Sequence, residues 1–499
     1  MNENVVIIGA GLGGLITAAI LAKEGKNVTL IEKNANIGGG LQSFKRFGEM
    51  FDAGMHIIGG MNEGGNVYRI CDYLGIRERM HYRPVDDDCM DELYFYEDKA
   101  TYRIAKGREG FVSSLASYFP DQKENLTRYV EAMYNLTQEM DLFYLRPAAN
   151  NIFDHSEEFL LPVKAFIEKY ITDKKLQSVL AYMNPLYSGK ADMTPAYIHS
   201  IINILYINGA CRFEDGCQYF AELLRDFIEE HGGKVMLNDP VVKICTEGRM
   251  ITSVLTQQGV TVTGDYYISS IHPCSMIKLL DDESVFPKSF RTRMNDIPNA
   301  YSAFSLYIKV KPETVRYVNH TRYFMSRYDE IWNFDKNDDV WPRGIIFVTP
   351  PETQQGEYSD KVIVTTPMCW EAVKQWEDTV LGKRDDSYTE WKERCKDRIL
   401  CLLEEAMPGF SENIECVNTA SPLTIRDYFN VKDGSMYGFA KDCDNIAMSQ
   451  LPVVTKVRNL LLTGQNNNLH GFCGVSLTAI NTCEVILGRD YIINKLNNK

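Results

Sequence analysis

The sequence lacks several features that mark particular classes of protein. Its 499 residues hold 53 Lys and Arg against 67 Asp and Glu, for a formal charge of −14. This acid excess argues against a nucleic-acid partner, because phosphate binding needs clustered basic residues. None of the thirteen Cys lies in a Cys-x-x-Cys pair, and no group of Cys and His has zinc spacing. We therefore expect no metal site, and reduced, mostly buried thiols in a cytoplasmic protein.

The sequence also shows no targeting or membrane-spanning segment. The first residues carry no basic stretch followed by an apolar one, so we expect no secretory signal. Residues 193–211 have no charged side chain, but they include too many polar groups for exposure to lipid. We interpret them as a buried helix that lines a substrate cavity. The alternative is peripheral contact at the inner face of a membrane, which would suit a water-insoluble substrate.

A dinucleotide-binding fingerprint stands at the start of the chain. Residues 5–8 form a short apolar run, typical of a buried parallel strand, and G-x-G-x-x-G follows with Gly9, Gly11 and Gly14. The next ten residues, 15–24, have the pattern of a helix, and residues 28–31 that of a second strand ending at Glu32. The glycines allow a tight turn, close approach to a pyrophosphate and close helix packing, while Glu32 stands where a ribose hydroxyl is held.

A second glycine cluster follows soon after Glu32 and Lys33. A nicotinamide-dependent dehydrogenase would continue into another helix and strand, whereas this chain has Gly38, Gly39 and Gly40. Backbone N–H groups exposed at such a cluster can line an elongated cofactor. The chain contains one G-x-G-x-x-G only, so no second domain for NAD(P)H is visible, and electrons must arrive by another route.

At these residues the sequence resembles the superfamily of FAD-dependent phytoene desaturases, carotenoid isomerases and retinol saturases. The matching features are the first fingerprint, Glu32-Lys33, Gly38-Gly39 and the segment Phe51-Asp52-Ala53-Gly54-x-His56. Many relatives carry Arg where this chain has Gly40. Lys45 and Arg46 are candidate substitutes for that positive charge, and simple solvation of both is the alternative.

The resemblance continues to the C-terminus. It implies that residues 232–244 return to the FAD domain and that the Val241 backbone meets the adenine edge. The segments 421–428 and 434–438 resemble the retinol saturase branch in particular. Residues 460–465 resemble the last FAD-domain strand, followed by a helix from about Val475 to Gly488. The implied cofactor contacts in this part are Gly464, Gln465, Gly474 and Val475, with Gln465 replacing the acid of many relatives.

The resemblance implies an α/β fold. We expect a Rossmann-like FAD-binding domain of the glutathione reductase and amine oxidase type, interleaved with an α+β substrate domain. The FAD domain would comprise residues 1–75, 215–290 and 455–499, and the substrate domain residues 76–214 and 291–454. We predict helices at 111–118, 126–143, 159–171 and 390–405, and strands at 303–310, 345–348 and 362–366.

The implied activity is FAD-dependent saturation of a C=C bond in an apolar polyene or isoprenoid-like substrate. Such an enzyme needs no metal or nucleophile, since the flavin N5 carries the hydride. The candidate proton donors are His56, His470 and Tyr428, with Tyr437 and Asp427 behind them. A structural histidine is the alternative for each imidazole, and an ion pair with Arg426 is the more common role for Asp427.

Three other functions stay open at this point. The same flavin could isomerise a polyene without net redox change, or desaturate an isoprenoid. A non-enzymatic alternative is a lipid-binding protein of the Rab escort and GDP-dissociation-inhibitor type, which carries prenyl chains without flavin. The intact Gly9, Gly11, Gly14 and Glu32 argue against that last class.

Overall fold

A five-stranded parallel sheet forms the centre of the nucleotide-binding half. The structure is a computed structural model that describes residues 3–54, 56–148, 154–446 and 450–498. The order of the strands is Leu460–Leu462, Tyr266–Ser269, Asn4–Ile8, Asn27–Ile31 and Lys234–Met236. Every neighbouring pair is parallel, with Val6 between Tyr267 and Thr29. The sheet thus collects strands from three distant stretches, and the predicted α/β fold is confirmed.

Two long helices lie close together on this sheet. Leu12–Lys23 contacts Gly471–Leu487 and Gln218–Glu230, and all but one of its residues are buried. Close packing needs small residues at the crossing: a Cβ on Gly13 would lie 3.0 Å from the Cα of Gly464. The helix of the last segment begins at Gly471, four residues before the predicted Val475, because His470 already has the extended backbone of an N-cap.

A seven-stranded sheet forms the second half. Its strands, in order, are Ile414–Ala420, Ser302–Val310, Lys361–Met368, Gly344–Val348, Thr321–Met325, Asp91–Phe95 and Ala100–Ile104. All pairs are antiparallel except Thr321–Met325 with Asp91–Phe95. The strands predicted at 303–310, 345–348 and 362–366 are all present. The hairpin of Asp91–Phe95 and Ala100–Ile104 was missed, although its residues alternate in burial.

The smaller sheets join these halves. One has three antiparallel strands, Val241–Glu247, Met250–Thr256 and Thr261–Val262. The others are strand pairs: Ser43–Arg46 with Glu49–Asp52, Tyr82–Pro84 with Cys211–Phe213, and Val315–Arg316 with Tyr358–Ser359. Strands of the second sheet come from both stretches assigned to the substrate domain. The residue boundaries of the two domains stay a prediction.

The remaining helices largely follow the sequence pattern. They are Asn66–Leu74, Arg108–Tyr118, Lys123–Gln138, Val163–Tyr170, Lys174–Leu180, Pro273–Leu279, Lys288–Asp296, Asp386–Ala406, Pro422–Phe429 and Tyr491–Asn497. The helix predicted at 159–171 begins only at Val163. Pro162 is its N-cap, and the fixed φ of proline suits the start of a helix rather than its interior.

The uncharged stretch 193–211 contains the helix Ala196–Ile207. Every residue of this helix is buried except Tyr206, as expected for a helix inside the protein. In the described part of the chain, no single helix has the length and apolar character of a membrane span. Gly471–Leu487 and Tyr491–Asn497 reach that criterion only as a pair, across a bend of 118°. All thirteen Cys are free and ten are buried, as the sequence predicts.

Candidate active site

One large cavity runs between the two sheets. Its volume of about 470 Å³ is within the usual range of cofactor and ligand sites. The predicted site residues that line it are Gly9, Gly11, Glu32, Lys33, Gly39, Gly40, His56, Val241, Tyr428, Gly464, Gln465, His470 and Val475. Gly14 and Gly474 do not line it. The fold therefore brings nearly all of the predicted positions, which are spread over the whole sequence, to one cavity.

The first glycine loop has three distinct roles. Gly9 has φ +97, a conformation that side chains rarely adopt, so it makes the turn. A Cβ on Gly14 would lie far under 3.0 Å from the Gly9 carbonyl oxygen, so Gly14 serves helix packing. Gly11 is different, since a Cβ there would meet no protein atom within 4 Å and would project into the cavity. Its smallness leaves room for a ligand at the start of the helix Leu12–Lys23.

Glu32 is fixed by the backbone at the end of its strand. The side chain is buried, and its Oε2 accepts from the Ala10 N–H at 2.8 Å while Oε1 accepts from the Asn34 N–H at 2.9 Å. These bonds brace the glycine loop against the second strand. They leave further lone pairs of the carboxylate for a hydroxyl in the cavity. Beside it, Lys33 Nζ donates to the Asp427 carbonyl at 3.1 Å, and burial lowers the pKa of Lys33.

The second glycine cluster lies against the first. Gly38 and Gly39 have φ of +107 and +57, and a Cβ on Gly39 would lie 3.2 Å from the Cα of Gly11. A Cβ on Gly40 would meet no protein atom within 4 Å. Lys45 and Arg46 are exposed on a strand pair and do not line the cavity. They are therefore not placed to replace the Arg of relatives at position 40.

Tyr428 lies at the Glu32 end of the cavity and not beside His470. Its side chain is 46% exposed, and its carbonyl accepts from the Asn34 side-chain amide at 3.3 Å. This position favours a place at the mouth of the cavity, and the role of Tyr428 as a proton donor stays a prediction. The neighbouring Asp427 forms ion pairs with Arg384 and Arg426, in keeping with a structural role.

The last glycine-rich segment places the helix Gly471–Leu487 with its N-terminus at the cavity. Gly471, Phe472, Cys473 and Val475 line the cavity, whereas Gly474 packs against Leu469 with no room for a Cβ. Gly474 thus has a packing role, and its predicted contact with the cofactor stays a prediction. In the amide orientation that satisfies both partners, Gln465 donates to the Met436 carbonyl and accepts from the Gly438 N–H, each at 3.2 Å.

His470 is the most unusual titratable group in the cavity. It is 5% exposed, and burial together with the charge of Lys441 lowers its pKa to about 3. One ring nitrogen bonds to the Leu186 carbonyl, while Nε2 is buried without a hydrogen-bond partner among the described residues. A neutral imidazole that donates to a carbonyl presents its other nitrogen as an acceptor. His470 can therefore accept a proton or hydrogen bond from a ligand, and it cannot donate one at neutral pH.

The rings of Tyr437 and His470 are in contact, with centroids 4.8 Å apart. Burial raises the pKa of Tyr437, so its phenol stays protonated. His56 lines the same cavity at intermediate burial. Cys473 also lines it, but burial raises the pKa of this thiol to about 12, which argues against a reactive thiolate.

Several lining residues had no signal in the sequence. Tyr206, Tyr323, Ile202, Leu205, Ile346 and Val348 line the cavity from the helix Ala196–Ile207 and from two strands of the second sheet. Only the uncharged stretch 193–211 pointed to the first of these elements. The apolar run 345–348 was predicted as a strand, and nothing local showed which face would meet a ligand.

The residues present fit a flavin dinucleotide. Gly11 and Gly40 leave open space where backbone faces the cavity, Glu32 offers a carboxylate, and a helix N-terminus faces the other end. These are the groups that hold pyrophosphate, ribose and the electron-rich side of a flavin. The cavity beyond them is lined by apolar side chains, which leaves space for a second, apolar ligand.

Comparison with known proteins agrees with this interpretation. The model of the family described as flavin containing amine oxidoreductase matches residues 12–317. The chain is 25% identical to all-trans-retinol 13,14-reductase of Danio rerio, over 98% of this chain and 86% of that protein. It is 23% identical to a 4,4'-diapophytoene desaturase of Staphylococcus haemolyticus, over 87% and 88%.

A solved structure shares the whole fold. The oxidoreductase from Methanosarcina mazei superposes with a TM-score of 0.65 at 17% identity, over 96% of this chain and 100% of that one. The resemblance to the desaturase, isomerase and saturase superfamily is confirmed, and so is FAD as the cofactor. Because the family model covers more than half of the chain, the chain belongs to the flavin-containing amine oxidoreductase family and is an FAD-dependent oxidoreductase.

Proposed function

We propose that the protein saturates one C=C bond of an apolar polyene or isoprenoid-like substrate. The observation that carries this proposal is the single cavity, which passes from the dinucleotide loop into a region lined by Leu186, Ile202, Leu205, Ile346 and Val348. An apolar chain can enter such a region without leaving polar groups unpaired. The similarity to a retinol 13,14-reductase over 98% of the chain supports the saturating direction.

FAD, when bound, supplies a hydride acceptor and donor at its N5 atom. The protein positions the substrate and excludes water from the apolar region of the cavity. Ile202 and Leu205 project from a buried helix and Ile346 and Val348 from a strand, so both walls of the apolar region belong to rigid elements. Holding the reacting carbons in one place converts an encounter of two molecules into a reaction within one complex.

Saturation also needs a proton, and we assign its donation to Tyr437, the phenol in contact with His470. Its phenol is protonated, lines the cavity and contacts His470, which is neutral and can only accept. With FAD reduced beforehand by an external electron donor, Tyr437 would protonate one carbon of the C=C bond as the other takes the hydride, and solvent would restore the phenol. A proton-transfer group of this kind typically contributes 10²–10⁴-fold to a rate.

A second candidate is desaturation, which is the reverse reaction. The unpartnered Nε2 of His470 favours it, because a desaturase must accept a proton from the substrate. Isomerisation, the third alternative, would change neither the oxidation state nor the mass of the polyene. A cytoplasmic setting with peripheral contact at the inner face of a membrane stays a prediction.

Mass analysis of the product separates these reactions. The enzyme, reduced with dithionite under anaerobic conditions, is incubated with a polyene alcohol in D₂O. Saturation gives a product with one double bond fewer that carries two solvent deuterium atoms, because the N–H of the reduced flavin and the O–H of the proton donor both exchange with D₂O. Isomerisation leaves the number of double bonds unchanged, and the oxidised enzyme would remove two hydrogens if it desaturates. Tyr437→Phe should lower the saturation rate at least about 100-fold with unchanged flavin content, and full activity would contradict the role of Tyr437.

A further inference from the structure

Two phenols, those of Tyr206 and Tyr323, bring hydroxyl groups to the apolar region of the cavity. Tyr206 lies on the helix Ala196–Ile207 and Tyr323 on the strand Thr321–Met325, and both line the cavity. No described residue hydrogen-bonds to either phenol oxygen, whereas the nearby buried Tyr182 and Tyr301 donate to Asp91 and Asn184. The two phenols are close enough to influence each other electrostatically, and Tyr206 likewise influences Tyr437.

A buried polar cluster of Thr321, Arg212 and Asp91 lies behind these phenols. Thr321 is on the same face of the strand as Tyr323, two residues away, and its Oγ1 accepts from Arg212 at 2.9 Å. Asp91 pairs with Thr321 in register on the adjacent strand, and its Oδ2 accepts from Tyr182 at 2.7 Å. Arg212 and Asp91 are each 1% exposed, so one positive and one negative group lie behind the wall.

This cluster sets the charge that a ligand should carry. Burial raises the pKa of Asp91 to about 7, opposed by the hydrogen bond from Tyr182 and by the charge of Arg212. Burial raises the pKa of Tyr206 and Tyr323, so both remain donors at neutral pH. Above about pH 7 the ionised Asp91 offsets the charge of Arg212, so the wall then offers two O–H donors in front of a pair with no net charge. An uncharged oxygen satisfies it, whereas a carboxylate would add an unmatched charge to a buried site.

We propose that Tyr206 and Tyr323 form a subsite for one uncharged oxygen of the substrate. The substrate is then an alcohol of the polyene or isoprenoid class, and a hydrocarbon of the same length is bound less well. An unpaired phenol in an apolar cavity is unfavourable, and a hydrocarbon would leave both phenols in that state. The inference rests on the proposed function, because it names the substrate class of the same cavity.

The test compares two ligands that differ by one oxygen. All-trans-retinol and the hydrocarbon in which hydrogen replaces its hydroxyl are titrated into the FAD-loaded protein, and dissociation constants are read from the quenching of protein fluorescence. We expect the alcohol to bind at least about tenfold more tightly, as two neutral hydrogen bonds imply. Tyr206→Phe and Tyr323→Phe should each weaken binding of the alcohol about fivefold and leave that of the hydrocarbon unchanged.

Tyr301→Phe is the matched control. Tyr301 is buried and near the same wall, but its hydroxyl donates to the Asn184 carbonyl at 3.3 Å and it does not line the cavity. Its loss should leave the preference for the alcohol intact. Equal affinity of the wild-type protein for both ligands, or an equal loss of both in the two cavity variants, would overturn the subsite. Tighter binding of retinoic acid than of retinol would overturn its uncharged character.

The same titration separates the subsite from the proposed function. If both ligands bind with equal affinity, the subsite is wrong and the apolar substrate class stands. If neither binds while the flavin spectrum shows a loaded protein, both proposals fail. Each variant is first checked for flavin content and for its unfolding midpoint in urea, and two independent phenol variants guard against the failure of one to fold.

Discussion

Replacing Gly11 by Ala should abolish tight FAD binding without harming the fold. Gly11 has φ −71 and ψ 175, which Ala adopts freely, and its Cβ would meet no protein atom within 4 Å. A Gly-to-Ala change at such a position stabilises a protein by about 0.4–1 kcal/mol, because the unfolded chain loses freedom. The FAD-free variant should therefore unfold at the same urea concentration as the FAD-free parent, or slightly higher.

The Gly11→Ala change should instead weaken the binding of FAD. The new methyl group occupies the cavity at the N-terminus of the helix Leu12–Lys23, where the backbone N–H groups face a phosphate. Displacing the phosphate from one or two charge-assisted hydrogen bonds removes about 3 kcal/mol, or more than a hundredfold in Kd. Flavin absorbance per protein after purification and the quenching of added FAD fluorescence measure the loss.

Gly14→Ala is the matched control, since it adds the same atom three residues further on. Its Cβ would collide with the Gly9 carbonyl oxygen, so the helix must move away from the strand. We expect that variant to lose about 2–4 kcal/mol of unfolding free energy even without FAD, as backbone strain and lost packing imply. A Gly11→Ala protein that keeps normal FAD affinity, or one that is as unstable as Gly14→Ala, would refute the assignment of these two roles.

Three further changes test other parts of the site. Glu32→Gln keeps the volume of the side chain, but one of the Ala10 and Asn34 N–H groups would then face an amide donor. We expect it to cost about 1–3 kcal/mol of unfolding free energy and to lower the flavin content, and both quantities can be measured. Ile346→Trp should fill the apolar region, and we expect retinol binding to fall at least tenfold with normal flavin content; retained retinol binding would place the substrate elsewhere. His199 is fully buried and burial lowers its pKa to about 3, so it stays neutral in the fold while the unfolded chain takes up a proton below about pH 6.5. The wild-type protein therefore loses stability as the pH falls below 6.5. The difference in unfolding free energy between wild type and His199→Gln should shrink by about 2 kcal/mol from pH 8 to pH 5. A difference independent of pH would show that His199 titrates normally.

The nucleotide end of the site could be predicted because its signals are local. Gly9, Gly11, Gly14 and Glu32 lie within one strand–helix–strand unit, and spacing alone fixes their relation. The substrate end could not be predicted in this way. Tyr206 and Tyr323 are 117 positions apart in the sequence, and only the packing of a buried helix on the second sheet brings them to one cavity.

The positions of two residues depend on contacts that the local sequence does not show. The helix Pro422–Phe429 is held by the ion pair of Asp427 with Arg384, and Tyr428 therefore lies at the Glu32 end of the cavity. The helix Gly471–Leu487 begins at Gly471 rather than at Val475, so Gly474 lies within the helix and packs against Leu469.

Gly40 stands where many relatives have arginine, so positive potential in the cavity must come from other groups. Neither Lys45 nor Arg46 reaches the cavity, and Gln465 brings no charge to it. At the His470 end of the cavity, positive potential comes from the N-terminus of the helix Gly471–Leu487, to which Lys441 adds its charge while the buried ammonium is protonated, whereas Lys33 lies beside Glu32. Burial lowers the pKa of Lys441 to about 7, so this added charge fades as the pH rises through neutrality. The potential at the His470 end is thus supplied partly by a fixed dipole and partly by a titratable group, whereas an arginine would have kept it constant over the whole pH range.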